Sequence, residues 1–165
     1  MIYPKEYLNS VKEISIDLLK KNHIKGLILD VDNTLIDFEK EMPTGVKEWV
    51  ETLKKFEIKF CILSNSNNVE KVGAVAEKLD IPFIHFAKKP FRVGFEKAQK
   101  VLELEANEIA VVGDQIMTDV IGANRSKMFP ILVKPIDEKD YLVTKIKRPF
   151  EKIIINFYLK RKNRN

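Results

Sequence analysis

The chain has 165 residues, 45% of them hydrophobic, and a formal net charge of +5. This length fits one domain with its own buried core, the apolar content excludes a disordered chain, and the single cysteine, Cys61, excludes an internal disulfide. The charge is unevenly placed: residues 139–165 hold nine Lys or Arg against two Asp or Glu, and residues 1–138 hold twenty against twenty-two. A nucleic-acid-binding domain spreads basic charge over a face of its body, so no nucleic acid is expected as a partner.

The opening MIYPKEYLNS lacks the apolar stretch of a signal peptide, and no run is long enough to span a bilayer. With the lone cysteine this points to a cytoplasmic protein. Short, nearly continuous apolar runs mark strands at Leu27–Val31, Lys59–Ser64, Pro82–His85, Ile109–Gly113 and Pro130–Val133. Between them the spacing is helical. Thr44 is expected to cap a helix over Gly45–Phe56, with Val46, Trp49, Val50 and Leu53 inward. Asn67 or Asn68 is expected to cap Val69–Leu79, Phe91–Leu104 repeats the pattern, and a short helix is expected over Thr118–Ser126. No repeat, low-complexity tract or linker precedes residue 134. The alternation predicts an α/β chain, a Rossmann-like three-layer sandwich around a parallel sheet of about five strands. It forms one domain over 1–165 with a basic helical tail at about 149–165.

In such sheets ligands bind at the carboxyl ends of the strands. Here strand one runs into Asp30-Val31-Asp32-Asn33-Thr34, strand two into Ser64-Asn65-Ser66, strand three into Lys88-Lys89-Pro90, and strand four into Gly113-Asp114 with Asp119 beyond. Burial penalises every one of these groups. Asp30, Asp32 and Asp114 together repel unless a proton or a cation joins them. Carboxylates without His or Cys suit a hard ion, and Mg2+ pairs such groups with water and phosphate oxygen. Lys89 and the Ser64 hydroxyl complete a phosphate cradle, and an aspartate there attacks phosphorus to form an aspartyl-phosphate.

LILDVDNTLID, CILSNS, KKP and VVGDQIMTD resemble, in order and spacing, the four motifs of the haloacid dehalogenase-like (HAD) superfamily. The resemblance implies a capless phosphatase with Asp30 as nucleophile and Asp32 as general acid and then base. Thr34 supports the first motif, Ser64 with its neighbour Asn65 binds phosphoryl oxygens, and of the two motif-three candidates, Lys88 and Lys89, the choice is Lys89, directly before Pro90, to offset their charge. Asp30, the backbone carbonyl of Asp32 and Asp114 hold Mg2+, and Asp119 supports the metal shell. YPKEYLNSV, IKGLILDVDNTLID and the GDQ–TD–GANR run resemble more finely the YqeG-like branch of subfamily IIIA, which includes mitochondrial phosphatidylglycerophosphatases. The likeness spans roughly residues 3–150, and the substrate it implies is phosphatidylglycerophosphate.

Thr34 to Thr44 is only a short loop, and Ser64 to Lys89 holds one helix and one strand, so no cap domain fits. An open site receives phosphate on something large, such as a lipid headgroup. In the tail, Phe150, Ile153, Ile154, Phe157 and Tyr158 share one helical face ending in basic residues. Such a helix lies on an anionic membrane or packs on the domain, and packing is the preferred reading. His23 reads as surface, His85 as a strand end, and Cys61 and Trp49 as core. Arg125 meets phosphate or ends its helix. The competing functions are a phosphatase for a soluble phosphomonoester or phosphoprotein, a receiver module storing phosphate on aspartate, and a phosphate-binding scaffold with no catalysis. The Asp32 acid–base argues against the second, and the unbroken motifs argue against the third.

Overall fold

The computed structural model describes residues 1–137 and 142–163, with the backbone alone over 142–147. Lys139, Asp140 and Arg164, counted in the basic tail, lie outside the described residues. Six strands, β1 (Glu6–Leu8), β2 (Gly26–Leu29), β3 (Lys59–Leu63), β4 (Phe83–Ile84), β5 (Ile109–Gly113) and β6 (Phe129–Val133), form one parallel sheet in the order β1-β6-β5-β2-β3-β4. The helices are α1 (Ile16–Lys21), α2 (Val46–Lys55), α3 (Val69–Leu79), α4 (Arg92–Leu102), α5 (Ile121–Arg125) and α6 (Leu142–Lys162).

Alternation along the central strands divides the core between two helical layers. Leu27, Leu29, Phe60, Ile62, Ala110 and Val112 face one side, with Val50 and Leu53 of α2 and Val72 and Ala76 of α3. Ile28, Cys61, Leu63 and Val111 face the other, with Phe95 and Ala98 of α4 and Ala123 of α5. A third cluster joins Ile116, Val120 and Leu132 to Ile154 and Ile155 of α6. The three-layer Rossmann-like sandwich is therefore present, and residues 30–45 and 64–82 carry no inserted cap, only turns and α3.

Several local expectations change. The sheet has six strands rather than about five because β1 pairs in register with β6 (Tyr7 opposite Leu132) while being only half-buried. Three residues with no apolar run leave no periodic signal. Strand one ends at Leu29, not Val31, because the carbonyl of Val31 accepts from the N–H groups of Thr34, Leu35 and Ile36 and the chain turns. Thr44 does not cap α2. Gly45, in left-handed backbone (φ 92°), stands at that position and makes no side-chain cap. Asn68 caps α3 as expected, accepting from the Lys71 N–H. The helix expected over Thr118–Ser126 is a π-helical turn, Ile116–Val120, followed by α5. The tail helix begins at Leu142 and carries Pro149 inside it.

Candidate active site

The register brings three strand ends level. Leu29 of β2 pairs with Ile62 of β3 on one side and Val112 of β5 on the other. The chain leaves β2 towards β3 and later returns through β5, which makes this the switch point of the sheet. Asp30 follows β2, with its N–H donating to the carbonyl of Val112, Ser64 follows β3, and Asp114 follows β5.

Lys89 is the hub. Its ammonium donates to Asp30 Oδ1 at 2.7 Å and to Asp119 Oδ1 at 2.6 Å, fully within the protein. Lys88 is exposed, its ammonium over the Phe86 ring, so tertiary placement distinguishes the two lysines. Lys89 is held by Asn65, whose Oδ1 accepts from the Lys89 N–H and whose amide donates to the Lys89 carbonyl. Asn65 therefore ties the second motif to the third. The Ser64 hydroxyl accepts from the Ser66 N–H, which leaves its own proton to donate.

Asp30, Asp114 and Asp119 form a buried cluster with one carboxylate oxygen from each within 4.8 Å. Burial pushes the Asp30 carboxyl up to about 7; Lys89 opposes this, and Asp119 and Asp32 add to it. Burial, then the Asp30 charge, also raises Asp114 well above the usual carboxylate range, against the pull of Arg148. Burial alone discharges an ammonium, but at Lys89 the Asp119 and Asp30 carboxylates outweigh it and hold the charge. The donor set fits a divalent oxygen-seeking ion: three carboxylates, no His or Cys, and Asp114 Oδ1 buried with no hydrogen-bond partner.

The Asp32 carboxylate stands apart from the cluster. The chain turns after β2, and Asp32 accepts from Lys71 of α3 at 2.7 Å. Thr34 is buried within that turn. Asp119 accepts from the Gln115 N–H as well as from Lys89, so both its oxygens are engaged.

The sequence reading missed three residues. Lys71 carries no motif. Arg148 of α6 donates to both the carbonyl and the carboxylate of Asp114, and to Glu151, which is buried and accepts from the Met117 N–H. Glu151 is the one acid between residues 141 and 165, and a lone carboxylate in a basic helix was the available signal. Arg125, by contrast, is exposed at the end of α5. Cys61 and Trp49 are core, and burial pushes the Cys61 thiol up to about 12.

A doubly wound sheet that gathers one carboxylate, its lysine and two further acids at the switch point defines an α/β protein with a ligand site at its strand ends. A family model described as mitochondrial PGP phosphatase matches residues 1–136. The probable phosphatase YqeG of Bacillus subtilis (strain 168) is 39% identical over 160 residues, covering 96% of this chain and 92% of that protein. Phosphatidylglycerophosphate phosphatase 1, chloroplastic/mitochondrial, of Arabidopsis thaliana is 25% identical over 164 residues, covering 89% of this chain but 45% of that protein. An uncharacterized protein from Listeria monocytogenes serotype 4b shares the fold, with a TM-score of 0.57 at 22% identity over 72% of this chain and 86% of that one. The chain belongs to the mitochondrial PGP phosphatase family, and it is a phosphoric monoester hydrolase.

Proposed function

We propose that this chain hydrolyses the phosphomonoester of a lipid headgroup, phosphatidylglycerophosphate, through an aspartyl-phosphate on Asp30. The observation that carries the mechanism is the Lys89 bridge from Asp30 to Asp119, with the unpartnered Asp114 oxygen beside it. Asp30, the carbonyl of Asp32 and Asp114 would hold Mg2+, with Asp119 supporting them. That ion supplies positive charge to the phosphoryl oxygens and to the ionised Asp30. A carboxylate oxygen of Asp30 attacks phosphorus and the ester P–O bond breaks. Asp32 gives its proton to the leaving oxygen. Asp32 then takes a proton from water, whose oxygen attacks phosphorus, and the Asp30–phosphorus bond breaks to release phosphate. Lys71 keeps Asp32 in place through both steps. Ser64 and Lys89 bind the phosphoryl oxygens, and Asn65 positions Lys89.

The lipid substrate is supported by the names of the family and of the Arabidopsis relative, and by a site with no cap over it. No described helix is long and apolar enough to cross a membrane. In this reading the chain works at the cytoplasmic surface of the bilayer as a peripheral protein, with the basic tail beside it. Phosphate release from phosphatidylglycerophosphate and from a panel of soluble phosphomonoesters tests the proposal, with Mg2+ or chelator and with Asp30→Asn. Mg2+-dependent release from the lipid, abolished in Asp30→Asn, is expected. Release from soluble compounds alone keeps the mechanism and removes the lipid. Stable phosphorylation of Asp30 without release favours the receiver reading.

A further inference from the structure

The loop from β4 to α4 does two things at once. It sends Lys89 inward to Asp30, and it sends apolar side chains outward. Phe86 is 57% exposed, Phe91 65% and Val93 59%. Single exposed apolar residues are ordinary, but three within eight residues beside a reactive centre form a patch. With Ile84 and Ala87 they line an open groove of about 460 Å3. Its other lining groups include Lys88, Lys97 and His85, and no carboxylate.

The backbone holds this patch in place. Phe86 sits in left-handed backbone at φ 49°, which is rare for a bulky side chain. The Phe86 N–H donates to the Ser66 carbonyl at 2.8 Å, and the Ala87 N–H to the Ser64 carbonyl at 2.9 Å. The loop is thus tied to the end of β3, next to the phosphoryl-binding Ser64. The Lys88 ammonium lies 5.3 Å from the centre of the Phe86 ring, so this exposed aromatic carries a cation with it. Arg92 is paired with Glu96 at 3.2 Å, so the uncompensated charge on the groove comes from Lys88 and Lys97.

An apolar groove edged by cations and free of acids is complementary to an anionic bilayer, whose headgroups are negative and whose interior is apolar. We infer that Phe86, Phe91 and Val93 insert among the headgroups of an anionic bilayer, with Lys88 and Lys97 against lipid phosphates, and that this contact sets the phosphatase site at the membrane surface. The inference rests on the lipid reading above but is tested separately from it.

The test is co-sedimentation with phosphatidylcholine vesicles, pure or mixed with phosphatidylglycerol, alongside turnover of a soluble phosphomonoester. The parent is expected to bind the mixed vesicles and not the pure ones, less tightly as salt rises. Phe86→Ser with Phe91→Ser should lower vesicle binding by roughly tenfold or more and leave soluble turnover unchanged. Lys88→Glu with Lys97→Glu should erase the preference for anionic vesicles, again with soluble turnover intact. Vesicle binding without hydrolysis of the lipid would keep the docking surface and reject the substrate. The inference is overturned if the parent does not sediment with anionic vesicles, or if the Phe86/Phe91 variant sediments as the parent does. It is equally overturned if binding is lost only on replacing Phe150 and Phe157 of α6, or if the groove proves to pair two copies of the chain in solution.

Discussion

At the scale of single residues, the site depends on how closely the end of β5 approaches Asp119. A Cβ on Gly113 would lie 2.2 Å from the Asp119 carboxyl carbon, well inside contact distance. Asp119 is itself buried and grips Lys89 at 2.6 Å, so any displacement is passed to the ammonium and on to Asp30. Gly113→Ala is therefore expected to cost about 1–3 kcal/mol through overpacking, and to lower turnover by at least about tenfold because reacting groups displaced by an ångström lose that much. Denaturant unfolding and steady-state rates on the same preparation check both. A loss of stability without a loss of rate would mean that Asp119 does not position Lys89. The contrast with Asp32 is instructive. It lies two residues from Asp30 in sequence, yet its partner is Lys71, thirty-nine residues on.

Among the elements, α6 is the one whose role the amphipathic pattern misplaces. The single apolar face expected of Phe150, Ile153, Ile154, Phe157 and Tyr158 is split: Ile154, Ile155 and Tyr158 are half-buried, while Phe150, Ile153 and Phe157 are exposed. The helix is set not by its apolar residues alone but by Arg148 and Glu151, which anchor it to Asp114 and to the backbone of Met117. Tyr158 then donates to the Lys5 carbonyl, and Lys162 pairs with Glu6 at the far end. Removing one partner of a largely buried pair leaves the other charge uncompensated, so Arg148→Ala is expected to cost about 3 kcal/mol in denaturant unfolding. Because Arg148 orients a carboxylate that would hold metal, Mg2+ binding measured by calorimetry should also weaken by about tenfold. Unchanged Mg2+ affinity alongside the stability loss would confine Arg148 to holding the helix.

For the molecule as a whole, the buried acids make metal-free stability depend on pH. The Asp30 carboxyl titrates at about 7 in the folded protein against an ordinary 3.8. Between these values the folded state binds more protons than the unfolded one, so stability falls as pH rises through that window. Asp114, raised by burial, acts in the same direction. Denaturant midpoints in chelator are therefore expected to fall between about pH 4 and pH 7, and Mg2+ should restore most at the upper end because it favours the ionised carboxylates. A metal-free midpoint that is flat or rising across that window would show that these acids are not buried as charges. What the sequence by itself determined was the strand-and-helix alternation, the parallel sheet and the four polar strand ends, because buried strands leave continuous apolar runs and only polar groups with a task break them. The strand-end positions of Asp30 and Asp114 were legible for that reason. Only the tertiary structure decided that Lys89 rather than Lys88 turns inward, that β1 adds a sixth strand, that Asp32 answers to Lys71, and that Arg148 closes on Asp114. Each of these joins residues far apart in the chain, and such pairings are set by sheet register and helix packing, which no local periodicity encodes.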